Sequence, residues 1–234
     1  MKGNTVMKIY RIILSAAIAG TMIFQTSAMA WEAHKQDLTQ VDVVIDEGVE
    51  LSENVPSDWA KSEIDLAVDA GLVPNLTGSP KYQDTINREQ FAELVSNMLE
   101  KVLNTQIESA PTGTFTDTTN IAVLKAYKYG VVNGVGDNLF APTDTTNREQ
   151  IAAMVFRATE VIKENTGKDL TPAMGSIEKF ADKSDISDWA VQSVGELAEN
   201  GIMNGTSDST ASPKDSCTVE QSILLIYRVY NSAI

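Results

Sequence analysis

Cysteine and histidine occur once each in the 234 residues, as Cys217 and His34. A single cysteine excludes any intramolecular disulfide, so the fold must rest on its core, which a chain of this size can bury without one. A zinc site of the usual His/Cys type, a Ser-His-Asp triad and a Cys-His pair all lack parts unless His34 serves from its polar N-terminal segment. Carboxylates are plentiful, but no two stand out as an acid and a base, so the sequence reads as a non-enzyme with no cofactor and no metal. Positive charge is also scarce: 18 Lys and Arg face 32 Asp and Glu, a net charge of −14. Such a surface repels nucleic acid and anionic lipid headgroups, which both need cationic patches, and otherwise serves solubility. Any anionic ligand must find its positive field in the few arginines.

Long apolar runs are missing too. The one candidate, Ile12–Phe24, is shorter than the roughly 20 residues that span a bilayer. With Lys2, Lys8 and Arg11 before it and Ala28-Met29-Ala30 after it, residues 1–30 read as a secretory leader; a retained N-terminal anchor is the alternative. The leader takes three basic and no acidic residues, so the remainder has 15 basic against 32 acidic, a net of −17. No cysteine follows the apolar run to take a lipid. The expected product is a secreted chain that starts near Trp31 and has no membrane association once the leader is gone.

What is present is a repeat. The first copy reads VPSDWAKSEIDLAVDAGLVP and, after a loop, Ile86-Asn87-Arg88-Glu89-Gln90-Phe91-Ala92. The second reads FTDTTNIAVLKAYKYGVVNG, then Thr146-Asn147-Arg148-Glu149-Gln150-Ile151-Ala152, and the third FADKSDISDWAVQSVGELAENGIMNG, then Cys217-Thr218-Val219-Glu220-Gln221. The spacing from Gly71 to Glu89, Gly130 to Glu149 and Gly201 to Glu220 is nearly constant. Each copy predicts helix, loop, helix. Ala60, Ile64, Ala67, Val68 and Gly71 fall on one face of a first helix. Gly71, Gly130 and Gly201 sit where a left-handed C-terminal cap favours glycine, with Leu72, Val131 and Ile202 able to fold back on the last turn.

The second helix opens with a capping box in every copy: Asn87 with Gln90, Asn147 with Gln150, Thr218 with Gln221. Glu89, Glu149 and Glu220 then suit the helix dipole. Phe91, Leu94, Val95 and Met98, then Ile151, Met154, Val155 and Ala158, then Ile223, Leu224, Tyr227 and Tyr230 follow at helical spacing. Strand-like alternation is short and confined to Val41–Val49. One hairpin cannot bury its stripe alone, so the three must share a core. The connectors, about Leu103 to Thr114 and Lys163 to Lys179, need none of their own.

A Trp-Ala helix start, a Gly-hydrophobic break, a Phe or Tyr before the loop and a Thr-Arg-Ala-Glu-like second start resemble the S-layer homology module. Phe140-Ala141-Pro142 with Thr146-Asn147-Arg148-Glu149 is the most faithful stretch; Val73-Pro74 and Tyr82 before Ile86–Phe91 fit a variant first module. The resemblance implies an all-α fold with three modules about a pseudo-threefold axis, forming a prism with ligand grooves between neighbours. The modules would span 55–104, 114–163 and 179–232, after a signal peptide at 1–30 and an acidic segment at 31–54, which is too short for the cargo domain such modules usually carry. It also implies non-covalent binding of a secondary cell-wall polysaccharide, often pyruvylated, at the cell wall or S-layer, the arginine of the motif meeting the pyruvate carboxylate.

On that reading Arg88 and Arg148 bind the ligand beside free first-turn N–H groups, where a guanidinium can grip a carboxylate with two hydrogen bonds. Asn87 and Asn147 flank them. Trp59 and Trp189 offer flat faces to a sugar, and Gly134 and Gly136 let backbone approach it. Each residue has a plainer alternative: a solvated first-turn arginine, a half-buried core indole, a glycine that only serves its turn. Repeat 3 has Val219 for the arginine and Ala211 for Phe140, and repeat 2 has Thr118 for the tryptophan, so at most two sites are expected, on Arg88 and Arg148. The competing reading is a structural envelope protein that packs against an S-layer or another surface protein without touching the polymer.

Overall fold

The computed structural model describes residues 54–234. The expected leader, and the 31–54 segment but for Asn54, lie outside the described residues. The expected all-α class holds: among the described residues there are six α-helices and no sheet, α1 (Asp58–Asp69), α2 (Arg88–Leu103), α3 (Ile121–Lys128), α4 (Arg148–Thr166), α5 (Val191–Glu199) and α6 (Val219–Ala233).

The local signals act as their chemistry requires. Asn87, Asn147 and Thr218 each accept from the backbone N–H of the Gln three residues on, whose side chain returns the bond, so all three capping boxes are closed. Gly71, Gly130 and Gly201 adopt φ of 68°, 71° and 72°. Leu72, Val131 and Ile202 then donate back to the carbonyls of Ala67, Ala126 and Leu197 at 2.9 Å and are buried. One position departs from the expected stripe: Val68 is exposed, because the buried face of α1 is carried by Ala60, Ile64 and Ala67 alone.

The two helices of one repeat do not pack on each other. The second helices α2, α4 and α6 touch pairwise at the centre, while α3 packs on α2, α5 on α4, and α1 on α6. Each first helix therefore rests on the second helix of another repeat, and α1, the first of the described helices, closes the ring on α6. The centre is dense: Phe91, Leu94, Met98, Ile151 and Ile162 are all fully buried, each contributing about 1.5–3 kcal/mol by leaving water.

The three loops that lead into α2, α4 and α6 meet in a closed ring of hydrogen bonds. Ile86 N–H donates to Cys217 O at 3.0 Å, Cys217 N–H to Thr146 O at 3.2 Å, and Thr146 N–H to Ile86 O at 3.3 Å. All three residues are buried. Around this ring, Arg88 and Glu89 N–H donate to Asp144 and Pro142 O, Arg148 and Glu149 N–H to Asp215 and Pro213 O, and Val219 and Glu220 N–H to Asp84 and Tyr82 O, at 2.9–3.1 Å. Each helix start is thus satisfied by the loop of a neighbouring repeat. Those loops are gripped in turn by carboxylates: Asp117 accepts from Phe140 and Ala141 N–H at 2.9 and 2.7 Å, Asp182 from Ala211 and Ser212 N–H at the same distances. Asn54 takes this role for Tyr82 N–H at 2.9 Å.

The connectors, expected to need no core, contribute to it. Ile107, Ala110 and Leu170 are buried. Gly175 lies so close to α5 that an added Cβ would stand 2.0 Å from the carbonyl carbon and oxygen of Gly195. This contact explains a glycine in mid-helix, at a cost of ~1 kcal/mol relative to alanine.

Gly175→Ala should therefore lower stability by about 1–3 kcal/mol through backbone displacement, read from urea denaturation; wild-type stability would refute the close approach. Desolvation raises the Asp117 and Asp182 carboxyls, but the two N–H donors on each, with Arg88 and Arg148 nearby, outweigh it and hold both below the ordinary range. Their stabilisation is complete above the unfolded value of about 4 and is lost as pH falls through the lower folded values. Denaturation midpoints should stay level from about pH 7 to 5, then fall below about pH 4, and an Asp117→Asn, Asp182→Asn double variant should be weaker at neutral pH with a shallower acid decline.

Candidate functional site

Two grooves between repeats have the same parts. The first, of 480 Å³, is lined by Trp59 from α1, Arg148 from the start of α4, the Asn204–Thr206 loop, and Gln221 and Arg228 from α6. The second, of 160 Å³, is lined by Trp189, Arg88 from the start of α2, the Asn133–Val135 loop, and Gln150 and Arg157 from α4. Every position in one corresponds to a position in the other, one repeat further round the ring.

The arginines are held, but not by carboxylates. Arg88 donates from Nε to Phe140 O at 2.9 Å and from Nη2 to Asn133 O at 2.7 Å. Arg148 repeats this with Ala211 O at 2.9 Å and Asn204 O at 2.8 Å. Arg88 also lies 4.6 Å above the Phe140 ring, whereas Arg148 has Ala211 at that place. Burial lowers both guanidinium groups from the ordinary arginine value, opposed by Asp144 and Asp117 around Arg88 and by Asp215 and Asp182 around Arg148. Both remain charged, since arginine does not lose its proton in proteins. Among the described residues Nη1 of each has no hydrogen-bond partner, and both side chains line their grooves, Arg148 with only 6% of its surface exposed.

The expected free N–H groups beside these arginines are a correction. Carbonyls of the adjoining loops occupy the N–H groups of Arg88, Glu89, Arg148 and Glu149, and Asn87 and Asn147 Oδ1 occupy those of Gln90 and Gln150. The helix starts are consumed by the ring of repeats, and side chains must supply the positive field. Asn87 and Asn147 thereby serve as caps.

Trp59 and Trp189 are 60% and 57% exposed, each at the edge of its groove. Their helices are fixed by glutamates that the sequence pointed to only as partners of the helix dipole. Glu220 accepts from Ser57 N–H and Oγ at 2.9 and 2.8 Å, and Glu149 from Ser187 N–H and Oγ, both at 3.0 Å, two residues before each tryptophan. Lys214 also bonds Glu149. Desolvation pushes the Glu149 carboxyl up, but Lys214 and Ser187 more than reverse it, so it stays ionised and keeps its hold.

Gly134 lines the second groove, but its lack of a side chain answers a packing need: a Cβ would meet Leu139 O at 2.7 Å and the Phe115 ring at 2.8 Å. Gly136, at φ 112°, belongs to the tight turn closed by Leu139 N–H on its carbonyl at 2.8 Å. In the third interface Val219 is buried beside Pro74, Asn75 and Leu76, and no arginine stands there. Arg157 and Arg228 were overlooked, although a signal existed: each lies seven residues after a capping Gln, on the same helix face, while repeat 1 has Asn97 there. Among the described residues no cluster of His, Cys, Asp and Glu is placed to hold a metal, and no helix is long and apolar enough to cross a membrane.

Two segments of the chain, 114–152 and 179–218, match the S-layer homology domain. The chain is 30% identical over 185 residues to an exoglucanase XynX of Acetivibrio thermocellus, a stretch covering 74% of this chain and 16% of that protein. It is 28% identical over 181 residues to an amylopullulanase of Thermoanaerobacterium thermosulfurigenes (74% of this chain, 9% of the relative). It is 26% identical over 159 residues to a surface-layer 125 kDa protein of Lysinibacillus sphaericus (65% and 12%). The chain thus spans no more than 16% of the length of any of these three relatives. Its similarity to the S-layer homology domain lies over residues 114–152 and 179–218.

Proposed function

We propose that the chain is a non-covalent cell-wall binding module that recognises an anionic, pyruvylated secondary wall polysaccharide at the cell surface. The observation that carries this reading is the pair of matching grooves, each joining an exposed indole to a guanidinium whose Nη1 has no partner among the described residues. A sugar ring stacks on the indole, and its carboxylate takes the end of Arg88 or Arg148. Residues 55–104 act as a third module of the same kind, because their capping box, helix-end glycine and loop contacts repeat those of the two matched segments. Residues 1–30 act as the leader that delivers the chain to the surface. The third interface, without arginine or tryptophan, contributes structure only.

Val219 and Thr118 favour a second reading, in which the protein packs against an S-layer or another surface protein. Co-sedimentation separates the two: walls stripped of protein should carry this chain, and retention only on walls that keep their S-layer would select the second reading.

Purified wall polymer should retain the protein, and the same polymer stripped of pyruvate should retain much less; equal retention would remove the carboxylate from the mechanism. Trp59→Ala and Trp189→Ala should each weaken their own groove about tenfold while leaving thermal stability within about 0.5 kcal/mol, as expected for exposed residues. Arg148→Ala should behave differently, losing binding and also about 1–3 kcal/mol of stability, because two carbonyls lose their donor. Calorimetric unfolding beside polymer titration distinguishes these outcomes.

A further inference from the structure

Besides their volumes and the Phe140 ring beneath Arg88, the two grooves differ in the partner of their second arginine. In the first, Arg228 is held in a fork-to-fork pair by Glu63, Nε to Oε2 at 2.8 Å and Nη2 to Oε1 at 2.9 Å, with both side chains partly exposed. In the second, the corresponding Arg157 makes one bond, from Nη1 to Val131 O at 3.3 Å. Among the described residues no carboxylate pairs with it. The cause lies in the first helices: four residues after Trp59 stands Glu63, and four residues after Trp189 stands Ser193. Ser193 is buried and gives its hydroxyl to Ala190 O at 3.0 Å.

We propose that the grooves are ranked by this substitution, the Arg88–Arg157–Trp189 groove being the stronger site for an acidic sugar and the Glu63–Arg228 pair attenuating the Arg148–Trp59 groove. The inference rests on the wall-binding reading above and adds which groove binds better and why. A ligand carboxylate entering the first groove meets a guanidinium already matched by an opposite charge and is repelled by the Glu63 carboxylate beside it. In the second groove two guanidinium groups face the ligand with no carboxylate bound to either. The larger volume of the first groove does not offset this for an anion, since added space supplies no countercharge. Arg157 and Glu63 are thus specificity-determining residues, the first by binding the acid group and the second by competing with it.

The test uses proteins with one groove impaired, Trp189→Ala with the first groove intact and Trp59→Ala with the second intact, and each titration is fitted to two sites with the impaired one about tenfold weaker than in the wild type. The probe is a short fragment of purified wall polymer that carries the pyruvate ketal, followed calorimetrically with and without that group. The second groove should bind about fivefold more tightly than the first, the scale of one partly exposed ion pair, with a steeper loss of affinity on adding salt. Glu63→Gln in the Trp189→Ala protein should tighten the first groove about fivefold, and Arg157→Ala in the Trp59→Ala protein should weaken the second by a similar factor. Glu63→Ser, which copies the residue of repeat 3, is the second variant should Glu63→Gln lower the unfolding temperature. Equal affinities, or a first groove indifferent to or weakened by Glu63→Gln and Glu63→Ser, would overturn the ranking and leave wall binding intact. Binding by neither groove of the single variants nor by the wild type would overturn both.

Discussion

Three backbone hydrogen bonds, from Ile86 to Cys217, Cys217 to Thr146 and Thr146 to Ile86, join loops that lie 60 to 131 residues apart in the chain. Six N–H groups at the starts of α2, α4 and α6 extend this ring to the carbonyls of neighbouring loops. A helix start buried without partners would be costly, so these bonds fix how the repeats meet. Every feature of the grooves follows from that meeting. The loops that satisfy the helix starts also bring Phe140, Asn133, Ala211 and Asn204 carbonyls to the arginines, and those carbonyls aim each guanidinium along the groove.

The same economy leaves the first-turn N–H groups of Arg88, Glu89, Arg148 and Glu149 no capacity for an anion. A first-turn N–H can serve a ligand or a neighbouring carbonyl, and here the neighbour has taken it. Arginine compensates because its five donors divide: Nε and one Nη2 hydrogen secure the interface, and the outer end faces the groove. The cost of a cation at a helix N-terminus, at most about 1 kcal/mol, is offset by two charge-assisted bonds to carbonyl oxygens. In the proposed wall-binding mode Arg88 and Arg148 would serve interface and ligand together, so the exposed tryptophans isolate binding from folding and the arginines do not.

The glutamates show a similar double use. Glu149 and Glu220 suit the helix dipole, as their first-turn position suggests, but their carboxylates also clasp Ser187 and Ser57 and so set where Trp189 and Trp59 emerge. Repeat 2 departs here: Glu89 meets Thr118 through a single hydroxyl at 3.1 Å, and Asn120, not Thr118, caps the shorter α3. The third interface therefore differs in architecture as well as in lacking its arginine and indole.

The amino-acid order by itself determined the helices, their caps, the glycine ends and the threefold repetition, because these depend on residues within a turn or two of one another. Asn87 with Gln90 or Gly71 with Leu72 carries its meaning locally. It also marked Arg88, Arg148, Trp59 and Trp189 by position in the repeat. Only the tertiary structure decided that the helices of one repeat separate and pack on other repeats, that Trp59 shares a groove with Arg148 rather than with Arg88, and that Glu63 pairs with Arg228 while no described carboxylate pairs with Arg157. Those facts depend on which distant loop carbonyl reaches which N–H, and on the closure of α1 against α6. Such contacts arise from packing three similar units around one core, and no spacing along the chain records the order in which similar units choose their partners.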